Sequence, residues 1–140
     1  MASPTQPVFD LLSTYVQLED GPGAVLVEVG DDFWGKSASP VDLDEGRLVC
    51  AFHNTNDWPT WEMHPAGDEI VYLLSGAIDL VLQEPDGERI IALRDRVACL
   101  VPRGVWHRGL VRLPSDVLHI TRGAGTQHRP VEPVAGMRPG

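Results

Sequence analysis

Two glutamates and two histidines carry the chemistry that this sequence offers, and they cluster in two short segments. In the first segment, Glu62 and His64 stand two residues apart, so both side chains leave the same face of an extended strand. Residues 65–68 (PAGD) have the composition of a turn, and Glu69 begins the apolar run that follows. His107 ends the second segment, VPRGVWH. We expect the four side chains to share one site where the ends of these predicted strands meet.

This set of residues predicts a metal site. A divalent metal needs three or four nitrogen or oxygen ligands from different strands, with one position open for water or substrate. The two imidazoles and two carboxylates of Glu62, His64, Glu69 and His107 suit Mn, Fe, Ni or Zn. In the absence of a metal, Glu69 and His107 would form a buried pair. Two carboxyl groups close together lose their protons at different pH values, so one of them can act as a general base. Glu62 and Glu69 are therefore the candidate catalytic residues.

Further side chains are candidates for a substrate pocket beside this site. His53 and His119 lie on predicted strands, and each faces either the pocket or the surface. Tyr72 and Trp106 are close in sequence to the candidate ligands and offer rings that stack on a planar substrate. His128 lies in the C-terminal tail and is predicted to be a surface residue.

The elements that must position these residues are short strands. Fourteen glycines and twelve prolines favour strands and turns over long helices. Strands are predicted over residues 24–29, 47–53, 69–74, 77–82, 89–93, 97–101, 107–111 and 117–121, and residues 8–15 form either a helix or an edge strand. Strands of this length, separated by turns, indicate an all-β sandwich or barrel. Phe33 and Trp34 are predicted to pin a long acidic loop, residues 31–46, to the body or to a second subunit.

The first segment resembles the first motif of the cupin superfamily, G-x5-H-x-H-x(3,4)-E-x6-G. Glu62, His64, Glu69 and Gly76 fall on this motif, with glutamate in place of its first histidine. The second segment resembles the second cupin motif, G-x5-P-x-G-x2-H-x3-N. The residues that match it are Pro102, Gly104 and His107, while Arg96 and Val111 replace its glycine and its asparagine.

The resemblance implies the cupin double-stranded β-helix, a jelly-roll barrel, in a small single-domain protein of the cupin 2-like type. One domain would cover residues 1–140, with a core of about 24–122, a flexible N-terminal lead and a Pro/Gly-rich C-terminal tail. The resemblance also implies a homodimer, because small cupins commonly pair through their sheets.

Three functions are compatible with these residues. The first is a metal-dependent enzyme acting on a small organic molecule, either a dioxygenase or an isomerase/lyase. The second is a cupin that binds a small molecule without turning it over. The third is a metal-free acid/base enzyme that uses the carboxylate pair. Fold resemblance does not decide among them, because one fold hosts many chemistries.

Charge and composition limit the classes of partner that the protein can bind. The formal net charge of −9 argues against binding to nucleic acid or to an anionic membrane. The sequence lacks a membrane-spanning apolar run and a basic leader followed by an apolar one, which predicts a cytoplasmic protein. Cys50 and Cys99 lie in apolar strands and are predicted to be buried thiols. The arginines of the second half, among them Arg108, either lie on solvated strand edges or hold a substrate carboxylate.

Overall fold

The computed structural model describes residues 8–29 and 45–132. Within these ranges the chain forms strands and turns, and no helix there has the length and hydrophobicity needed to span a membrane. The strands are β1 (Thr14–Leu18), β2 (Ala24–Glu28), β3 (Arg47–Asn54), β4 (Thr60–Met63), β5 (Glu69–Glu84), β6 (Gly87–Arg94), β7 (Val97–Val101), β8 (His107–Thr121) and β9 (Gln127–Pro130). The predicted loop with Phe33 and Trp34, residues 1–7 and the end of the tail lie outside the described residues.

Two long antiparallel strands, β5 and β8, form the centre of the sheet. The side of β5 that faces away from β8 pairs with β7 along residues 69–73 and with β6 along residues 77–84. The side of β8 that faces away from β5 pairs with β3 along residues 115–121 and with β4 at His107. Strands β1 and β2 extend the sheet beyond β3, and β9 extends it beyond β4. All described strands therefore join one antiparallel sheet, which confirms the all-β prediction.

The sheet curls over on itself, and one contact shows how strongly. Leu82 of β5 pairs with His107 of β8, while Glu69, thirteen residues earlier on β5, also contacts the imidazole of His107 at 3.0 Å. A straight strand of that length would separate Glu69 from Leu82 by about 43 Å. The two ends of β5 therefore face each other across a closed interior.

Alternation along β5 decides which side chains reach this interior. Val71 and Leu73 are buried, whereas Ile70 and Leu74 remain 38% and 39% exposed on the outer face. The inward residues of β5 pack with those of the neighbouring strands into one core, formed by Val71, Leu73, Ile78, Leu80, Leu82, Leu93, Cys99, Val101 and Val117. Glu69 lies on the same inward side and is 2% exposed.

The two long strands are continuous where the sequence predicts breaks, so the predicted ends at residues 74 and 111 are wrong. The register of β5 against β8 shifts between Leu73 and Ile78, beside Pro114, which has no N–H for the ladder. Ser115 replaces the missing bonds, because its hydroxyl accepts from the Ala77 N–H at 3.0 Å and lies 2.6 Å from the carbonyl of Leu113. A bulge therefore absorbs the turn-forming residues without ending either strand.

Arg96 adopts the backbone conformation that explains why the second cupin motif has glycine at this position. Its φ is 65°, and it is the one non-glycine residue with positive φ in the described part of the chain. The left-handed region costs an L-residue about 1–2 kcal/mol, which glycine avoids. The Arg96 N–H donates to the carbonyl of Leu73 at 2.7 Å. The turn between β6 and β7 therefore keeps its shape without the glycine.

The sheet is wider than the predicted core of residues 24–122. Residues 8–13 form neither the predicted helix nor the predicted edge strand, and β1, at residues 14–18, lies between β2 and β3. Tyr15 on β1 is 4% exposed. At the other end, residues 127–130 form β9, which pairs with β4. The predicted surface tail thus contributes a strand beside Glu62, and this strand brings additional side chains to the site.

Candidate metal centre

Four side chains meet where β4, β5 and β8 approach one another. Glu62 on β4 lies directly opposite His107 on β8. His64 follows the end of β4, and Glu69 is the first residue of β5. The N–H of Gly104 donates to the carbonyl of His64 at 3.0 Å, which fastens the two motif segments side by side. The structure thus brings together the residues that the sequence predicts as metal ligands.

The carboxylate of Glu69 lies at the centre of the cluster. Its Oε1 is 3.0 Å from His107 Nε2, and its Oε2 is 3.3 Å from His64 Nε2. Oε2 also lies 3.5 Å from His119 Nδ1 and accepts a hydrogen bond from the Thr121 hydroxyl at 2.5 Å. Three imidazoles and one hydroxyl therefore surround one buried carboxylate.

The cluster favours a carboxylate anion and a positive charge next to it. Burial by itself would raise the pKa of Glu69, but the contacts with His107, His119 and His64 outweigh it and hold the pKa well below its usual value. The pKa of His107 is raised above its usual value. Burial by itself would lower this pKa, but the contact with Glu69 outweighs burial. Glu69 is therefore a weak base, and the atoms around it attract a proton or a cation.

An inner pocket of ≈ 730 Å³ opens beside this cluster. Leu48, Phe52 and Trp58 form apolar walls, and Glu62 lies among the polar groups. Neither lysine nor arginine is among the described residues that line it. Cys50 also lines the pocket, and burial, followed by the charges of Glu69 and Glu62, raises the pKa of its thiol to about 12. Both cysteines are buried free thiols, as predicted.

Comparison with known proteins identifies the fold. No protein-family profile and no curated protein matches the chain. Among solved structures, a cupin-2 domain protein from Shewanella frigidimarina shares 16% identity over 53% of this chain and 68% of that one, with a TM-score of 0.47. Peruvianin-I, described as a cysteine peptidase from Thevetia peruviana latex, shares 13% over 61% of this chain and 56% of that one, with a TM-score of 0.51.

The chain has the cupin fold. A further neighbour is the hydroquinone 1,2-dioxygenase PnpCD, solved with Cd²⁺ and 4-hydroxybenzonitrile, which shares 18% identity over 58% of this chain and 59% of that one, with a TM-score of 0.48. Identities this low show the fold alone. The chain spans less than two thirds of the length of the dioxygenase and of Peruvianin-I.

The buried donor atoms of this chain fit a metal ion. His64 Nε2, Glu69 Oε1 and His107 Nε2 are buried, and their described polar contacts are with other members of this cluster. The Val105 carbonyl accepts from His107 Nδ1 at 3.0 Å, so that nitrogen carries the proton and Nε2 points into the cluster. A lone pair on Nε2 would repel the Glu69 carboxylate unless a proton or a metal cation lay between them.

The geometry of the donors supports the same conclusion. Glu62, His64 and His107 each offer one ligand atom, and the three atoms lie within 4.8 Å of one another. The Nδ1 atom of His64 is 2.8 Å from the hydroxyl of Thr126, which orients the ring as outer partners of metal-bound histidines commonly do. The site therefore has two imidazoles, carboxylate oxygens and support for its ligands.

The structure places one of the four predicted pocket residues at the pocket. His119 is 7% exposed and lines the inner pocket beside Glu69. His53 does not, because β3 turns its even-numbered residues inward, and the imidazole of His53 is exposed and lies 2.7 Å from Asp116. Tyr72 lies on the outward side of β5, and Trp106 stacks under a guanidinium group outside the pocket, at 4.5 Å. His53, Tyr72 and Trp106 therefore lie outside the described lining of the inner pocket.

Three pocket residues escaped prediction from the sequence. Thr121 and Thr126 bond to Glu69 and His64, and His128 Nε2 lies 3.3 Å from Glu62 Oε1. His128 reaches the site because β9 pairs with β4, which sets it directly opposite Glu62. The sequence offers no apolar alternation over Gln127 to Pro130 from which this strand could be predicted.

Proposed function

We propose that this cupin binds a divalent cation, Mn, Fe, Ni or Zn, through Glu62, His64, Glu69 and His107. The observation that carries the proposal is the group of buried donor atoms on His64, Glu69 and His107, which converge on one another. Burying unsatisfied polar atoms is costly, and a cation would satisfy them together. Two carboxylates would balance a charge of 2+, which supports hard or borderline ions.

We also propose that the metal-bound protein acts on a small organic molecule held in the inner pocket, as a dioxygenase or an isomerase/lyase. Phe52 and Trp58 offer ring faces, and the absence of lysine and arginine from the described lining favours a substrate without a separate anionic group. A bound cation would orient a substrate oxygen and stabilise negative charge on it. The apolar walls would exclude water from the reacting atoms.

Glu62 is either the fourth metal ligand or the base, and it is the carboxylate better suited to move a proton in this reaction. Its side chain is 31% exposed, and His128 beside it is 52% exposed, so the pair connects the pocket to solvent. Glu69 is poorly suited, because its low pKa makes it a weak base. The metal-free alternative that uses Glu69 as the base therefore has less support, whereas binding without turnover remains the competing function.

Metal analysis tests this proposal. Untagged protein purified without chelator should contain about one equivalent of metal, and His107→Ala should lose it. His53→Ala is the matched control, because it removes an exposed imidazole outside the pocket and should keep the metal. Wild-type protein that takes up none of the four ions after reconstitution would remove the metalloprotein proposal. If the protein does bind metal, substrate-dependent oxygen uptake would separate a dioxygenase from a protein that only binds its ligand.

For assembly, we propose a single-domain protein that forms a homodimer through the outer face of its sheet. An aliphatic row crosses this face, because Leu100 pairs with Ile70, Ile70 with Ile120, Ile120 with Val49, and Val49 with Val16. Leu100 and Ile70 are 59% and 38% exposed, and burying such a row is favourable. Light scattering at micromolar concentration should give the dimer mass, and Leu100→Glu should give the monomer. A monomeric wild type would contradict this assembly.

A further inference from the structure

A second pocket lies on the opposite face of the strands that carry the metal centre. This outer groove has a volume of ≈ 570 Å³, and its lining includes Trp61, Val81, Ile90, Arg108, Leu110 and Arg129. Neither the proposed metal site nor its substrate uses any of these side chains. The outer groove therefore needs an explanation of its own.

Strand alternation places the groove back to back with the inner pocket. Trp61 precedes Glu62 on β4, and Arg108 follows His107 on β8. Arg129 follows His128 on β9 and pairs with Trp61. Because successive side chains of a strand leave opposite faces, Glu62, His107 and His128 each have an outward neighbour in the groove.

Two arginines in the groove are held in place by neutral partners. The guanidinium group of Arg129 lies 4.5 Å from the ring centroid of Trp106 and 5.9 Å from that of Trp61, and it also donates to the side-chain oxygen of Gln83. Arg108 Nε donates to the carbonyl of Trp58 at 2.9 Å. These contacts fix both guanidinium groups while leaving further N–H donors on each.

Neither arginine has a carboxylate partner in the described part of the chain, whereas arginines nearby do. Arg94 and Arg112 both pair with Asp79, at 3.2 and 2.9 Å. A fixed guanidinium without an anion presents the donor geometry that fits a carboxylate. Arg108 and Arg129 are therefore prepared to receive an anion from outside the chain.

The rest of the lining defines what accompanies that anion. Val81, Ile90 and Leu110 supply an apolar surface, and Ile90 is 61% exposed. The carboxylates of Glu88 and Glu132 also line the groove, and both residues are exposed. They would repel a second negative charge on a ligand, so the groove favours one carboxylate attached to a hydrocarbon over a polyanion.

We propose that the outer groove binds an apolar monocarboxylate. The carboxylate faces Arg108 and Arg129, and the hydrocarbon part packs on Val81, Ile90 and Leu110. This site is separate from the metal centre and does not depend on the proposed function.

Calorimetric titration with benzoate tests the proposal, with benzyl alcohol as the uncharged analogue and phthalate as the dianion. We expect saturable binding of benzoate that is at least about tenfold tighter than that of either analogue, because hydrogen bonds to charged groups have this magnitude. Arg129→Gln and Arg108→Gln should each weaken benzoate by about tenfold or more. Arg103→Gln, which changes an arginine outside the groove, should leave it unchanged.

The His107→Ala variant separates this site from the inner pocket. Benzoate binding should persist in it, even though the metal is lost. The proposal is overturned if benzoate binds no tighter than benzyl alcohol, or if His107→Ala abolishes binding while both arginine variants retain it. Circular dichroism shows whether each variant is folded, and having two arginine variants keeps the test decisive if one of them unfolds.

Discussion

The inner pocket and the outer groove are built from consecutive residues of the same strands, yet they have opposite chemical character. The inner pocket contains glutamates and histidines but neither lysine nor arginine among its described lining, so it suits a cation. The outer groove contains Arg108 and Arg129 without a carboxylate partner in the described chain, beside the exposed Glu88 and Glu132, so it suits a single anion. A two-residue period lets one strand serve both purposes, because a shift of one residue changes the face.

The two sites also differ in how their charged groups are satisfied. In the inner pocket, His107 and Glu69 are 0% and 2% exposed, and donor atoms on both lack hydrogen-bond partners among the described residues. In the groove, Arg108 and Arg129 are half-buried and have neutral partners. Charges interact more strongly away from water, so the inner site should hold its ligand tightly and the groove should exchange its ligand.

The largest expected effect comes from neutralising the buried carboxylate. Glu69→Gln should lower the free energy of unfolding of the metal-free protein by about 3 kcal/mol at neutral pH, because its imidazole neighbours lose their counter-charge in a buried site. Glu88→Gln, the matched change in the outer groove, should alter it by less than about 0.5 kcal/mol. Urea denaturation measures both values. Equal effects would show that burial does not distinguish the two faces.

The stability difference between wild type and Glu69→Gln should also depend on pH. The pKa of Glu69 is lower in the folded protein than in the unfolded chain, so its stabilisation is present above the unfolded value of about 4.3 and is lost as the pH falls. The pKa of His107 is raised, so its contribution is present below about 6.5 and is lost as the pH rises through the folded value. The stability difference between wild type and Glu69→Gln should therefore shrink at both ends of this range.

The sequence predicts the inner face better than it predicts what surrounds it. Glu62 and His64 share a face because their separation matches the strand period, and the motif spacing brings Glu69 and His107 to them. The sequence leaves His53 open between the pocket and the surface, because both faces of β3 are apolar and periodicity cannot tell which one is inward.

The remaining errors come from long-range pairing. His128 and Arg129 reach their sites only because β9 pairs with β4, far away in sequence, and no local pattern specifies that partner. Trp106 is a related case. Its position beside His107 suggests the pocket, but Trp106 precedes β8 and its ring lies under the guanidinium group of Arg129, outside the described pocket lining. Proximity in sequence is therefore a poor guide to which face a residue joins.

A smaller effect is expected from the hydroxyl that supports a ligand without binding the metal. Thr126→Val removes the partner of His64 Nδ1 and leaves a side chain of similar shape, so metal affinity should fall by about tenfold. Thr60→Val is the control, because Thr60 lines the same pocket without a hydrogen bond to the candidate ligands in the described chain. Competition with a fluorescent chelator measures both affinities.

The Thr126 variant also tests whether the two faces are independent. Benzoate binding in the outer groove should stay within about twofold of wild type, because distant sites without shared partners contribute additively. A loss of benzoate affinity that parallels the loss of metal affinity would show that β9 couples the faces through His128 and Arg129. The strands would then transmit a change at one ligand site to the other, and the opposite chemistries of the two faces would belong to one linked system.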